Sequence, residues 1–287
     1  MGPATAVRVV LVGGHESSDG ADLVRFEDVG ERVSVAAPGR GLHNALTAFL
    51  DDGETVVVLP MTFGRNPTMV ADTAKTLKWL APRHPGRLAL AAPFGQPDHL
   101  IAWLRTAANR ARSVDIDTAL LIVAPRSNTF DEAELHRIAY LVAAHGALPE
   151  VAVAIADDAD TLSGAVQRLR RLGATRVAAV PAGFAESLPV TDAEDLAPLM
   201  SHSAVRRVVR TRVADALTAL AAGSDGIDQG LAADHGHGYA HSHAFEESQG
   251  HGHSHSHPHP HTHADGAAHT HGHPHEHHPH EHHQLQH

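Results

Sequence analysis

Seven short runs rich in β-branched residues recur along the first part of the chain, at residues 7–12, 33–37, 55–59, 87–91, 119–123, 150–155 and 176–180. Stretches with helical apolar spacing follow most of them, at 42–50, 70–80, 99–111, 131–144, 161–172 and 205–220. Strand followed by helix, repeated, is the pattern of a parallel sheet whose connections cross over one face. The strands read as continuous apolar runs, as expected when both faces of a sheet are covered. This alternation predicts an α/β fold.

The pattern runs twice. Val-Leu-Val-Gly-Gly-His15-Glu-Ser closes a first strand and aligns with Leu-Ile-Val-Ala-Pro-Arg126-Ser-Asn, while Val57-Val58-Leu59-Pro60 aligns with Ala178-Ala179-Val180-Pro181. Pro93-Phe94-Gly95 before a helix aligns with Pro198-Leu199-Met200 before a helix. Three landmarks in one order predict an internal duplication, with lobes at 1–112 and 113–223 and a tail at 224–287. Two facing α/β lobes leave a cleft, and ligands of open parallel sheets sit beyond the carboxyl ends of the strands.

The tail differs in kind. Of 28 histidines, 21 lie from His235 onward, many at alternate positions, including His251, His253, His255, His257, His259, His261, His263, His271, His273 and His275. Neutral imidazole ligates Co²⁺, Ni²⁺, Zn²⁺ and Cu²⁺, and a run of His between small residues and Pro lets several rings converge on one ion without a fold. Purification tags are short uniform blocks, whereas this segment is long, irregular and interleaved with Asp, Glu, Ser, Thr and Pro. Its scarcity of apolar side chains predicts that it stays disordered without metal.

Charge and cysteine usage exclude other chemistries. The net charge of −11 divides into −8 from residue 224 onward and −3 before it, so the body has no excess of basic residues for nucleic acid or an anionic membrane. No apolar run reaches the roughly 18–20 residues that span a bilayer, and no basic-then-apolar leader opens the chain, so a cytoplasmic protein is expected. With no cysteine, any metal site must use His, carboxylate and other oxygen ligands.

Two strand-end loops carry the candidate chemistry. In Gly13-Gly14-His15-Glu16-Ser17, His15 at the carboxyl edge of the first strand can ligate a divalent cation or accept a proton; taken alone, it reads better as an ordinary loop histidine bonded to a neighbour. In Pro60-Met61-Thr62-Phe63-Gly64-Arg65-Asn66-Pro67-Thr68-Met69, Thr68 is expected to cap the following helix. Arg65 is expected to pair with a carboxylate, and Met61, Phe63 and Met69 to offer an uncharged surface. Arg126, standing where the first lobe has histidine, cannot ligate metal and suits an anionic group or a structural role. His43, His99, His136 and His145 fall in helices or at their ends, and His84 and His202 in loops.

Taken in order, these segments resemble the sirohydrochlorin chelatases, in the long two-lobed form called CbiX or SirB. That family opens with a strand and a Gly-His-Gly-Ser loop, which Gly14-His15-Glu16-Ser17 matches at three of four positions. Leu59-Pro60 with Asp72, then Pro93-Phe94-Gly95 with Asp98, and faintly Pro125-Arg126-Ser127 with Asp131, continue the likeness over about residues 7–220. The resemblance implies the class II chelatase fold: two similar flavodoxin-like lobes with parallel sheets. It also implies ATP-independent insertion of a divalent metal into a tetrapyrrole bound between them, with His15 as ligand and base. By count from Pro60, Thr68 stands where the family places a second histidine; Glu16 is the candidate replacement as ligand or base.

Two functions are therefore expected from different classes. One is a cobaltochelatase-type lyase of cobalamin or sirohaem biosynthesis, with Co²⁺ favoured and Ni²⁺, Zn²⁺ or Fe²⁺ as other candidates. Its catalytic residues would be His15 and Glu16, its substrate-binding residues Ser17, Arg65, Asn66, Thr68 and Arg126, and its tail a metal reservoir. The other is a non-catalytic metal-storage protein or metallochaperone on a degenerate chelatase scaffold. The expected partner is a sirohydrochlorin-like tetrapyrrole; nucleic acid and membrane are not expected, and the oligomeric state stays open.

Overall fold

The computed structural model describes residues 6–233 except 31, 146, 147, 157 and 191. All seven anticipated strands form: β1 (Val7–Val12), β2 (Val33–Ala36), β3 (Thr55–Pro60), β4 (Leu88–Leu90), β5 (Thr118–Ala124), β6 (Val151–Ile155) and β7 (Arg176–Pro181). A two-residue strand, β8 (Glu194–Asp195), completes the second set. The helices are α1 (Arg40–Asp51), α2 (Pro67–Leu80), α3 (Pro97–Val114), α4 (Thr129–Ala144), α5 (Ala159–Arg171), α6 (His202–Ala221) and the short α7 (Ile227–Leu231).

The strands make two four-stranded parallel sheets of the same order, β2-β1-β3-β4 and β6-β5-β7-β8. Register aligns the landmarks: Leu11 lies opposite Leu59, and Ile122 opposite Val180. The expected two-lobed α/β architecture is the one observed.

The lobes exchange helices. Helix α3, which follows the last strand of the first sheet, packs against β5 and β7 of the second, beside α4. Helix α6, which follows the second sheet, packs against β3 and β4 of the first. One core results, running from Leu11, Leu59, Leu100 and Leu104 through Leu135, Ile138 and Val180 to Val205 and Val209. Helices α1, α2 and α7 cover the opposite face of the first sheet, and α5 that of the second.

Two segments depart from the sequence pattern. Residues His15–Val29 wind as 3-10 turns, with Leu23, Phe26 and Val29 buried; a spacing of three places these side chains on one face of such a helix. Residues 224–233, grouped with the tail by charge, fold onto the first lobe. There the Leu90 amide donates to the Asp225 carbonyl (2.8 Å) along the edge of β4, and Ile227 is buried against α2. Pairing that edge and burying one isoleucine outweigh the local acidity. Among the described residues no helix is long and apolar enough to cross a membrane.

At the amino-terminal edge of the first sheet, Arg8 grips the nearly buried Glu54 through Nε (2.8 Å) and Nη2 (3.1 Å), and Arg32 adds a third contact. The hydrogen bonds from Arg8 hold the Glu54 carboxyl below its ordinary value of 4.5. In the unfolded chain it regains that value, so its contribution is complete above pH 4.5 and is lost as pH falls through the lower folded value. Glu54→Gln should cost roughly 2 kcal/mol at pH 7, and its difference from wild type should shrink below pH 4.5 in chemical denaturation. Leu104→Ala, at a fully buried position of the shared core, should cost roughly 2–5 kcal/mol. Because the core is shared, circular dichroism and tryptophan fluorescence should still follow one transition.

Candidate functional site

β1 ends at Gly13-Gly14, and the next two side chains occupy different surroundings. Glu16 is buried: its Oε1 accepts from the Thr62 hydroxyl, and its Oε2 from the Phe63 amide (3.0 Å). Arg65, almost wholly out of water, brings its Nε to 3.9 Å from Glu16 Oε2 and its Nη2 to 3.3 Å from the Ala182 carbonyl. Burial pushes the Glu16 carboxyl up, opposed by the Arg65 guanidinium and the Thr62 and Phe63 donors. The second lobe closes over this pair, with the Phe184 amide donating to the Glu16 carbonyl (3.0 Å).

His15 faces the second lobe. Its Nδ1 lies 3.7 Å from Oδ2 of Asp131 in the first turn of α4, and its Nε2 is buried with no hydrogen-bond partner among the described residues. Burial, and then the charge of Arg65, lower its pKa from 6.5 to about 4 despite the nearby carboxylate. The ring is therefore neutral at pH 7 and offers a lone pair. Asp131 accepts from the Asn128 side chain (2.7 Å), which fixes the carboxylate beside Nδ1. Metal-binding histidines usually donate one ring nitrogen to a carboxylate and leave the other free; at 3.7 Å Asp131 lies near Nδ1 but outside hydrogen-bond distance.

His15 also lines a cavity of about 210 Å³ with Asp22, Pro125, Pro181, Gly183 and Leu188. Asp22 accepts from the Ser18 hydroxyl (2.8 Å) in the same wall. Among the described residues no three His, Asp or Glu side chains converge as a metal cage. A cation at His15 would keep several coordination positions for water or an incoming ligand.

The other sequence candidates are dispersed. Ser17 is buried and donates to the Gly14 carbonyl (3.1 Å), which makes it part of the turn. The cap of α2 is Asn66, whose side chain accepts from the Met69 amide (3.1 Å), and not the exposed Thr68; Pro67 at the first helical position sets the start two residues earlier. Met61, Phe63 and Met69, which a macrocycle was expected to meet, are buried: Met61 and Phe63 in the core shared by the lobes, and Met69 in the core on the opposite face of the first sheet. Arg126 is exposed at the end of β5. The tail histidines, His251 to His263 and His271 to His275, lie outside the described residues.

Sequence reasoning passed over Gly183 and Phe184, and Asp131 as a neighbour of His15. These contacts span more than 100 residues of chain, and no local motif announces them.

No family model and no curated protein sequence matches the chain. Among solved structures it is similar to SirB from Bacillus subtilis with Fe³⁺, at a TM-score of 0.50 and 12% identity, over 77% of this chain and 98% of that one. It also matches an ABC transporter solute-binding protein from Conexibacter woesei at a TM-score of 0.42 and 12% identity, over 78% of this chain and 83% of that one. The first likeness gives the fold: two flavodoxin-like lobes on a chelatase-like scaffold.

Gly183 is confined by its neighbours, since a Cβ there would lie 2.2 Å from the Glu16 carbonyl oxygen. Gly183→Ala should therefore force the lobes apart at this seam and lower stability by roughly 1–3 kcal/mol. A melting temperature equal to wild type, measured by calorimetry, would show that the seam gives way without cost.

Proposed function

We propose that this protein inserts a divalent transition metal into a sirohydrochlorin-like tetrapyrrole between its lobes, without ATP, with cobalt the favoured ion and nickel, zinc or iron as other candidates. The observation that carries this reading is the neutral, buried His15, with a carboxylate near Nδ1 and an Nε2 that has no partner among the described residues. The chelatase-like scaffold and the SirB likeness support it.

In this reading His15 Nε2 takes the incoming ion, and Asp131, 3.7 Å from Nδ1, balances the charge. Few protein ligands mean that the ion can pass to pyrrole nitrogens without a tight cage to break. The leaving pyrrole protons need an acceptor. Asp22 and Glu16 both line the cavity with His15, but the Glu16 carboxyl is committed to Thr62 and Phe63, which leaves Asp22. Glu16 and Arg65 then serve by positioning the loop, and Ser17 and Asn66 by shaping it. Thr68 and Arg126, both exposed, remain candidates to meet substrate carboxylates at the rim. The histidine tail supplies metal by effective concentration.

A second reading has its own observation. The cavity at His15, about 210 Å³, is smaller than the roughly 300–1,000 Å³ of pockets that hold drug-sized ligands. A macrocycle requires the seam between Glu16 and Phe184 to open. If it stays shut, the chain is a metallochaperone or metal-storage protein that receives ions at His15 and keeps them on its tail.

An anaerobic absorbance time course of sirohydrochlorin with Co²⁺ separates these readings. The chelatase reading expects metallation well above the protein-free rate and a loss of at least tenfold in His15→Ala. A rate equal to the protein-free control with each of Co²⁺, Ni²⁺, Zn²⁺ and Fe²⁺ would leave the carrier reading. Removing residues 234–287 should preserve the rate at saturating metal and reduce it when metal is scarce; equal rates under scarcity would refute tail delivery.

A further inference from the structure

A second cavity, of about 340 Å³, lies between the exchanged helices α3 and α6, lined by Phe63, Phe94, His99, Trp103, Arg207 and Arg212 among others. Its aromatic wall is firm. Phe63 and Phe94 are buried and meet edge to face with centroids 5.5 Å apart, and Phe184 stacks on Phe63 at 5.4 Å. A Cβ at Gly95 would approach Phe63 Cδ1 to 2.7 Å, so the glycine lets that ring take its place.

The charged lining is all cationic, and Thr211 donates its hydroxyl to the Arg207 carbonyl (3.1 Å). No Asp or Glu lines the cavity, and neither the Arg207 nor the Arg212 side chain has an ion-pair or hydrogen-bond partner among the described residues. Nε of Arg212 is buried and unsatisfied. The Gln96 amide donates to Nδ1 of His99 (3.0 Å), so the neutral ring carries its proton on Nε2 and offers one more donor. A buried guanidinium nitrogen without a partner lacks the compensation such groups ordinarily have.

We infer that this cavity binds a small aromatic carboxylate, its ring against the partly exposed Trp103 and its carboxylate on Arg212 and Arg207. Flat rings gain from edge and face contacts with aromatic walls. Guanidinium groups match carboxylates in plane and in pairs. The volume suits a molecule of one or two rings. This site is separate from His15 and involves no metal.

The test uses the full chain with a chelator present, so its outcome is independent of metal chemistry at His15. Binding of 4-(trifluoromethyl)benzoate and of 4-(trifluoromethyl)benzyl alcohol is followed by fluorine NMR. The acid should bind saturably at one site and at least tenfold more tightly than the alcohol. Arg212→Gln should weaken the acid about tenfold and leave the alcohol unchanged. Arg207→Gln, at a more exposed position, should show a smaller loss and covers the case in which Arg212→Gln fails to fold. Absence of saturable binding, equal affinity for acid and alcohol, or unchanged acid affinity in both variants would overturn the assignment. Inorganic phosphate displacing the acid at equal concentration would overturn the aromatic preference.

Discussion

Taking the Glu16 carboxylate and the Arg65 guanidinium out of water is costly, and the surrounding structure is arranged to offset that cost. The Thr62 hydroxyl and the Phe63 amide satisfy the carboxylate, and the Ala182 carbonyl accepts from the guanidinium. Each contact fixes something beyond the pair: the loop after β3, the close approach of Gly183, and the direction in which the neighbouring His15 leaves the backbone. With Glu16 turned into the seam, His15 is left facing Asp131. The electrostatic character of the imidazole follows from the same pair, because burial and the Arg65 charge together keep it neutral.

Strands and long helices were legible because their physics is local. Val7 to Val12 and Val56 to Leu59 can hardly be anything but covered strands, and the two sheets with one strand order were foreshadowed by the Leu59-Pro60 and Val180-Pro181 pairs. The winding of His15–Val29 was not, since it lacks the 3.6-residue period and turns through left-handed Ser18 and Asp19. Which sheet a helix covers was also hidden: the apolar faces of α3 and α6 are plain in the sequence, but their exchange is a property of the assembled lobes. At the candidate site the sequence singled out the loop after β1 and His15, which the structure places beside Asp131. It could not separate an inward Glu16 from an outward one, because that choice depends on Arg65 and on a glycine 167 residues away in the chain.

The polar groups of the molecule fall into three kinds of site. Glu54 with Arg8 and Arg32 is internally compensated, and Glu16 with Arg65 is compensated except at Arg65 Nε, which has no hydrogen-bond partner among the described residues; both serve the fold. His15 is half compensated, with a carboxylate near one nitrogen and, among the described residues, no partner on the other. Arg207 and Arg212 stand beside aromatic rings with no counter-charge in their cavity among the described residues. Arg25 Nε, Arg65 Nε and Thr118 Oγ1 are also buried without a hydrogen-bond partner among the described residues, but of these groups only His15 and Arg212 line the cavities of about 210 Å³ and 340 Å³.

The exchange of α3 and α6 bears on how such a chain could arise by doubling. A half-length chain ending at Val114 would carry a terminal helix whose apolar face has no sheet of its own to cover, together with a sheet missing the helix that covers it. Two such copies would each supply what the other lacks, closing on one another as a symmetric swapped pair. Joining the copies into one polypeptide then frees the two halves to differ. Histidine can stay at the first strand end while arginine occupies its counterpart, a division of labour that identical subunits cannot reach.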